Sequence, residues 1–324
     1  MAERRIRNAQ VQGSIPCSGS YRVQRLPEAI GPATLPAMTP PSVRVVRHES
    51  HLGRWETVFR APALPLRPYI RGYKGYVCVG ARPNRRRAVA TTDVALIVNF
   101  GSPLGLTDPV DPGAGVDYRS AFVAGPCDRY SLYEWTGETD GVQVDLTAIG
   151  ARLILGLPMD ELTNRAIEFE DVGGAWARGL AERLHDEPSW EARFALLDSV
   201  VISRLAGASE PAPAVVRAWQ RLEASGGRVP IRALADEVGY SHEHLTRRFR
   251  QQVGLPPKTF AQLLRFDRLM RRLEGRNVAT WADLASQCGY YDQAHLIRDF
   301  RRFAGTPPGE FMGLRLPEGG GVLG

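Results

Sequence analysis

Short runs of β-branched, aliphatic and aromatic residues alternate with turn-forming residues between Trp55 and about residue 149. Breaks rich in glycine, proline, serine and aspartate separate the runs, as at 101–103 and 111–113. Short runs with frequent turns are typical of a small β-barrel or β-sandwich. We predict strands at 69–79, 88–100, 120–123, 130–135 and 141–146.

The apolar period becomes helical after residue 149. Helices are predicted at 149–155, 176–184 and 190–205, and the last carries an apolar stripe from Phe194 to Leu205. A stripe of this kind must be buried against another surface. We favour the flank of the preceding β domain as that surface, and the seam of a homodimer is the alternative.

The internal repeat of the C-terminal third is the strongest pattern in the chain. At an offset of 50, four residues of 234–240 recur in 284–290. After one inserted residue the offset becomes 51, and at least six further identities follow, as far as Phe260 and Phe311. Ten identities in one register indicate a duplicated structural unit.

Each copy has the pattern of a helix-turn-helix unit, at about 230–254 and 280–305. In each, a short helix ends at a glycine, Gly239 or Gly289, which can adopt the left-handed conformation that stops a helix. A polar residue then stands where the N-cap of a second helix is expected. These predicted N-caps are Ser241 in the first copy and Asp292 in the second. The first helix of the second copy is predicted to begin with a capping box formed by Thr280 and Asp283.

The second helix of each copy has one apolar and one polar face. In the first copy Leu245, Phe249 and Val253 recur at a spacing of four and must face the core, and their equivalents in the second copy do the same. The opposite faces hold side chains that can contact bases or phosphates in DNA. They are Glu243, Thr246, Arg247 and Arg250 in the first copy, and Gln293, Ala294, Ile297, Arg298 and Arg301 in the second. An exposed Ile297 would suit a thymine methyl group.

The run 258–274 joins the two copies and contains no helix breaker. As a helix, its 17 residues span roughly 26 Å. A rigid spacer of this length, with the width of each unit, could place two recognition helices about one DNA turn apart, roughly 34 Å. One chain could then read two adjacent major grooves.

The excess positive charge lies in the same third of the chain. Residues 213–324 hold 17 Lys and Arg against 11 Asp and Glu, a net of +6, and the remaining residues hold 24 of each. A solvated basic face would explain the charge alone. Together with the duplicated motif, the charge predicts contact with a polyanion.

The C-terminal third resembles the DNA-binding domain of the AraC family in the segments LADEVGYSHEHLTRRFRQQVGLPPKTF, LLRFDRLMRRL and LASQCGYYDQAHLIRDFRRFAGTPPGEF. The Gly-x-x-Pro pattern after each unit makes this resemblance more specific than a single helix-turn-helix. It implies a transcription regulator that binds double-stranded promoter or operator DNA. By position, it implies base contacts from Glu243, Thr246 and Arg247 and phosphate contacts near Ser241 and Arg250 in the first unit, and base contacts from Gln293, Ala294, Ile297 and Arg298 in the second.

The resemblance extends to the front of the chain. Family members usually carry a cupin-like β domain with following helices, which implies control by a small effector or by dimerisation. The expected partners are therefore DNA, an unknown small-molecule effector, a second copy of the chain and RNA polymerase. Aromatic residues of the β domain could line an effector pocket or fill an ordinary β core. The candidate pocket residues are Tyr73, Tyr76, Phe100, Phe122, Tyr133 and Trp135.

An enzyme is the main alternative, because cupin barrels can hold a metal with histidines and a carboxylate. Of the six histidines, three lie outside the predicted barrel and three in the helix-turn-helix units. The four cysteines have no metal or redox spacing, and no catalytic motif such as Gly-x-Ser-x-Gly occurs. We expect no catalytic residues, no metal and no cofactor, and a cupin-type enzyme or an unregulated DNA-binding protein stays as the alternative.

Together these patterns predict an α+β chain, with a cupin-like small β-barrel or sandwich and flanking helices before an all-α domain of two helix-turn-helix units. Residues 1–42 are rich in Pro, Gly, Ser and Arg, which predicts disorder, and Met1 or Met38 could be the start. No signal peptide or spanning segment is evident, so we expect a cytoplasmic protein that is associated with the nucleoid when bound. The predicted units are a disordered tail at 1–42, an effector or dimerisation domain at 43–206, a linker at 207–213, a DNA-binding domain at 214–316 and a flexible tail at 317–324.

Overall fold

The computed structural model of the chain describes residues 43–50, 53–107, 115–118, 120–274, 280–316 and 321–324. These residues form a mixed α/β fold, with an antiparallel sheet in the N-terminal part and a helical domain after it. The predicted disordered tail at 1–42 lies outside the described residues.

In the described part of the chain, nine strands form one antiparallel sheet. They are β1 (Arg44–Ser50), β2 (Gly53–Arg60), β3 (Ile70–Ala88), β4 (Val94–Asn99), β5 (Leu104–Thr107), β6 (Val116–Tyr118), β7 (Ala121–Ala124), β8 (Ser131–Leu146) and β9 (Ala166–Glu168). The main path is β1-β2-β3-β8-β4-β7-β9, and β5 pairs with β6 and β8 beside it. The terminal strands β1 and β9 of this path do not pair with each other, so the sheet is open. The prediction of a closed barrel is therefore wrong.

The long strands β3 and β8 form the centre of the sheet. The sequence predicted that the first strand stops at residue 79, but β3 continues to Ala88 and pairs with β8 as far as Ser131. A register shift between Gly80 and Asn84 marks a bulge, where a strand bends. The strand prediction relied on apolar residues, and residues 85–87 are three arginines. Their backbone can still form the hydrogen bonds of a strand, because these bonds do not require apolar side chains.

Eleven helices are present among the described residues. They are α1 (Ala148–Leu155), α2 (Phe169–Gly173), α3 (Ala175–Asp186), α4 (Trp190–Ala206), α5 (Pro213–Ser225), α6 (Ile231–Glu237), α7 (His242–Val253), α8 (Pro257–Glu274), α9 (Trp281–Cys288), α10 (Gln293–Ala304) and α11 (Pro308–Leu314). The predictions of α1, α3, α4 and the connecting helix α8 are confirmed within a few residues. Helix α2 was not predicted, because five residues are too few to establish a helical period.

One face of the sheet packs against α1, α3 and α4. Phe194 and Leu197 of α4 are buried there with strand residues such as Val142. The ring of Phe194 also stacks on Tyr73 of β3, with ring centroids 5.6 Å apart. The apolar stripe of α4 is therefore buried against its own sheet, which is the surface favoured from the sequence.

The helical domain has a core of its own, and the sequence repeat is also a repeat of packing. Phe249 packs edge-on against Phe260 with centroids 5.5 Å apart, and the equivalent Phe300 packs against Phe311 at 5.3 Å. The β domain inserts Ala90, Ala148 and Ile149 into this core. No helix in the described part of the chain has the length and apolarity needed to cross a membrane.

Candidate nucleic-acid interface

The turns before α7 and α10 are built by the caps that the sequence predicted. Gly239 and Gly289 both have positive φ values, +73° and +84°. Ser241 accepts a hydrogen bond from the His244 backbone N–H at 3.2 Å, and Asp292 accepts one from His295 at 2.7 Å. The capping box at the start of α9 is also present, with Thr280 and Asp283 bonded reciprocally.

Helix α7 turns its apolar stripe inward and its cationic face outward. Leu245, Phe249 and Val253 are fully buried, as predicted. Arg247 and Arg250 are exposed on the other side. Glu243 and the N-cap Ser241 are exposed beside them, whereas Thr246 is half-buried and its hydroxyl donates to the His242 carbonyl at 2.8 Å.

Helix α10 presents a similar surface. Gln293, Ala294, Arg298 and Arg301 are exposed. Ile297 differs from the expectation, because it is half-buried and packs against the core of the helical domain. Any contact of Ile297 with a base would therefore use only the outer part of its side chain.

The exposed arginines of the two helices occupy equivalent positions of the repeat. With the offset of 51, Arg247 corresponds to Arg298, and Arg250 corresponds to Arg301. Among the described residues, the guanidinium groups of Arg250 and Arg301 have no hydrogen bond or ion pair. Arg247 Nη2 lies 3.3 Å from His244 Nδ1 on its own helix. Four cations are thus held by two similar scaffolds and face outward.

A buried carboxylate on α10 was not predicted. Asp299 has a side chain that is only 8% exposed, and its carboxylate lies 3.5 Å from His295 Nε2. This distance suits an ion pair and not a hydrogen bond, and Asp299 Oδ2 accepts no hydrogen bond in the described part. Burial raises the pKa of Asp299, and the positive charge of Arg265 and of a protonated His295 opposes the rise. An aspartate between basic residues gives no sequence signal of burial, because its neighbours predict a solvated face.

The six aromatic residues predicted to line a pocket lie on two sides of the sheet. Tyr73 faces the helices, where its hydroxyl donates to Asp198 at 2.5 Å. Phe100 packs edge-on against His185, with centroids 5.5 Å apart. Phe122 and Trp135 instead belong to a separate cluster with Tyr133.

We call this separate group the aromatic cluster; its members are Leu104, Tyr118, Phe122, Trp135 and the partly buried Cys78, Ile97, Leu106, Ala124, Tyr133 and Ala166. Tyr76 lies beside it, two residues before Cys78 on the same face of β3. Tyr76 Oη and Trp135 Nε1 are buried, and neither has a hydrogen-bond partner in the described part of the chain. Burial raises the pKa of Tyr76, and it raises the pKa of Tyr133 to about 12.

Metal-ligating side chains are not gathered in the described regions. No group of three or more His, Cys, Asp or Glu residues there could hold a metal ion. Cys78, Cys127 and Cys288 are free thiols, and burial raises the pKa of each. A raised pKa keeps a thiol protonated and therefore weakly reactive.

Two parts of the chain match known protein families. Residues 234–313 match a family described as a helix-turn-helix domain. Residues 59–168 match a family described as a domain of unknown function. No curated protein matches the chain.

Three solved structures illustrate what the chain is similar to. ToxT from Vibrio cholerae shares 12% identity with a TM-score of 0.45, over 74% of this chain and 97% of that one. The C-terminal domain of AraT, a response regulator from Geobacillus stearothermophilus, shares 20% identity with a TM-score of 0.31, over 33% of this chain and 90% of that one. The AraC-like transcriptional activator CuxR shares 11% identity with a TM-score of 0.30, over 68% and 80% of the two chains.

Proposed function

We propose that the protein is a transcription regulator of the AraC type, which reads two neighbouring sites in the DNA major groove with α7 and α10. The match of residues 234–313 to a helix-turn-helix family supports this proposal. The observation that carries this proposal is the equivalence of Arg247 with Arg298 and of Arg250 with Arg301. Each arginine of a pair lies the same number of residues after the N-cap of its helix. A surface that only has to be soluble would not require arginine at the same positions of both helices.

The two pairs of arginines have different roles in this proposal. Arg247 and Arg298 lie nearer the amino ends of their helices, the part of a recognition helix that usually meets base edges. An arginine there can bind guanine O6 and N7 in a bidentate manner. Arg250 and Arg301 lie one turn further on and would contact phosphates, which fix the register of the protein on the duplex.

Selection of bound DNA tests the proposal directly. Purified full-length protein would be mixed with genomic fragments at low and at moderate salt, and the bound fragments sequenced. We expect a motif with two boxes whose centres lie about one helical turn apart, retained at the higher salt. Enrichment without a motif that disappears as salt rises would overturn sequence-specific reading and leave only electrostatic binding.

The aromatic cluster is the place where we propose that a small effector binds. Tyr76 Oη and Trp135 Nε1 are buried donors that have no hydrogen-bond partner among the described residues. A buried donor gains free energy when an acceptor reaches it. The guanidinium of Arg86 lies over the Trp135 ring at 5.2 Å and supplies a positive charge. These features favour a small apolar molecule that carries a carboxylate.

Thermal unfolding with a panel of aromatic and branched aliphatic carboxylates, each paired with its methyl ester, tests the effector site. A ligand that binds only the folded state raises Tm, and the rise grows with the logarithm of the ligand concentration divided by Kd. We expect a rise with at least one acid, a smaller rise with its ester, and loss of the rise in Trp135→Phe. If no acid of the panel raised Tm, and none changed the affinity of the protein for its promoter, the proposal that the β domain binds an effector would be contradicted.

The stoichiometry on DNA is the remaining part of the proposal. Because one chain holds two units, one chain suffices for a two-box site, and a dimer would occupy four boxes. Light scattering of the complex with a two-box duplex would distinguish these cases. Contact with RNA polymerase is tested by transcription from a selected promoter with the purified polymerase, with and without the protein.

A further inference from the structure

The carboxyl end of α7 is held by the β domain. Thr163 Oγ1 donates a hydrogen bond to the carbonyl of Gly254, the C-cap of α7, at 2.7 Å. Gly254 has a φ of +93°, and a Cβ atom built there would lie 2.6 Å from Pro126 Cγ. The approach is therefore close enough to require glycine.

The carboxyl end of α10 is held by the same domain. The Ala90 backbone N–H donates to the Phe303 carbonyl at 2.9 Å, and Arg87 Nη1 donates to the Ala304 carbonyl at 2.7 Å. Carbonyl groups in the last turn of a helix have no partner within the helix, so these bonds satisfy acceptors that would otherwise need water. A Cβ atom at the C-cap Gly305 would lie 2.4 Å from Arg87 Nη1.

The two contacts lie at the same position of the repeat. Gly254 and Gly305 are equivalent at the offset of 51. In each unit, the β domain meets the end of the recognition helix that is opposite to the N-cap. The exposed Arg247 and Arg298 are therefore left accessible while both helices are held from behind.

Hydrogen bonds join the segments that make these contacts. Thr91 and Cys127 exchange backbone hydrogen bonds of 3.0 and 2.9 Å. Asn164 donates its backbone N–H to the Pro126 carbonyl at 3.0 Å, and its Oδ1 accepts from the Asp128 N–H at 3.0 Å. We call the joined segments the platform; they are 87–91, 126–130 and 159–164.

Asn164 adopts an unusual backbone conformation at the junction. Its φ of 57° is the only left-handed value at a non-glycine residue in the described part of the chain. Asparagine tolerates this region better than most residues, and the surrounding hydrogen bonds hold it there. Arg302 of α10 also pairs with Asp128, so the platform has a third contact with α10.

The two recognition helices therefore have two independent connections. One is α8, which joins the units along the chain. The other runs from Gly254 through Thr163, Asn164, Cys127 and Thr91 to the end of α10. A single helix leaves its two ends able to bend and rotate relative to each other, whereas a second connection restricts both motions.

We propose that Thr163 and Arg87 are positioning residues for DNA recognition, which hold α7 and α10 at one separation and so set the spacing between the two boxes that the protein accepts. This inference rests on the proposed function. An assembly that already has the geometry of its site loses less conformational entropy on binding. Loosening one contact should therefore widen the range of accepted spacings and leave the binding of each single box intact.

The experiment uses full-length protein and a series of duplexes made from the selected site. In the series the spacer between the boxes is shortened or lengthened by up to about three base pairs, and two further duplexes carry one box each. Affinities would be compared for the wild type, Thr163→Val and Arg87→Met. Thr163→Ser keeps the hydroxyl donor, and Arg85→Met removes an exposed charge two residues from Arg87, so these two variants are the controls.

For the wild type and both controls we expect one favoured spacing, bound roughly tenfold more tightly than duplexes two base pairs longer or shorter. For Thr163→Val and Arg87→Met we expect this ratio to fall below about threefold while single-box affinity stays within about twofold. An unchanged spacing preference in both variants would overturn the inference. Equal loss on all duplexes would overturn it too, because the two residues would then support folding alone.

The failure of the inference is distinguishable from the failure of the proposed function. A wild-type protein that binds each box specifically but accepts every spacing would contradict the positioning role and leave the proposed function in place. A wild-type protein that selects no motif would instead remove the proposed function itself.

Discussion

Arg71 on β3 lies 2.6 Å from the carboxylate of Glu223 on α5, so an ion pair joins the sheet to the helical domain. Asp93 lies 3.3 Å from the same guanidinium. The side chains of Arg71 and Glu223 are 24% and 18% exposed, which makes the pair largely inaccessible to solvent. The two domains are thus connected by charge here and by hydrogen bonds at the platform.

We predict that Arg71→Met lowers the free energy of unfolding by about 3 kcal/mol, because it leaves a carboxylate buried without its partner. Urea unfolding followed by circular dichroism would measure the loss. Arg178→Met is the matched control, since its pair with Glu170 is exposed and such pairs contribute about 0 to 1 kcal/mol. Replacing both partners, as Arg71→Met with Glu223→Leu, should cost less than Arg71→Met alone. A double variant that is less stable than the single one would contradict this account.

The parts of the helical domain that the sequence predicted are those governed by neighbouring residues. Ser241 caps α7 because its oxygen needs only the N–H three positions on, and Gly239 stops α6 through its own backbone. The inward direction of Leu245 and Phe249 follows from a spacing of four on one helix. Such features depend on short stretches of chain, so the repeat and its period were sufficient.

The parts that were not predicted depend on contacts between distant residues. The hydrogen bond from Thr163 to Gly254 joins residues 91 positions apart, and nothing near either residue indicates the other. The buried Asp299 lies near Arg265 of α8 and near Tyr290, and neither residue belongs to its own helix. The open path of the sheet was missed for the same reason, since strand pairing is decided across the whole domain.

Two consecutive residues of β3, Arg86 and Arg87, make contacts on the side of the aromatic cluster and on the side of the platform, respectively. The guanidinium of Arg86 lies over Trp135, whereas that of Arg87 reaches the Ala304 carbonyl. Successive residues of a strand point to opposite faces, so this strand has one arginine for each side. A ligand beside Trp135 that shifts β3 would therefore also shift a contact with α10, which is a physical route from the proposed effector site to DNA binding.

We predict that Arg247→Ala and Arg298→Ala each weaken binding to the selected site by about 1 to 3 kcal/mol and relax the base preference at one position. The reason is the loss of a bidentate contact with one base. Repeating the DNA selection with each variant would measure the change, and the affected position should lie in a different box for each. Equal weakening on all sequences, with the motif unchanged, would contradict a base-reading role.

We predict a different result for Arg250→Ala and Arg301→Ala. If these side chains contact phosphates, each variant should bind all sequences more weakly and lower the slope of log K against log salt by about 1. Titrations between low and moderate salt would give the slope. Arg178→Ala, which removes an exposed arginine of α3, is the control. A slope equal to that of the wild type would exclude the phosphate contact.

We predict that the stability of the helical domain depends on the ionisation of Asp299. Burial raises the pKa of this carboxyl in the folded protein, so the protonated form is favoured by folding. The contribution of protonated Asp299 to the free energy of unfolding is fully present below the pKa of an unfolded aspartate, about 3.9. This contribution is lost as the pH rises through the pKa of Asp299 in the folded protein.

Asp299→Asn cannot ionise and should not show this loss. Relative to the variant, the wild type should therefore become less stable between pH 4 and 8, by about 1.4 kcal/mol for each unit by which the pKa is raised. Urea unfolding of both proteins across this range would measure the difference, and Asp236→Asn, on the exposed side of α6, serves as the control. If the wild type instead gained stability over Asp299→Asn as pH rose, the ion pair with His295 would outweigh burial, and Asp299 would be a stabilising charge of α10.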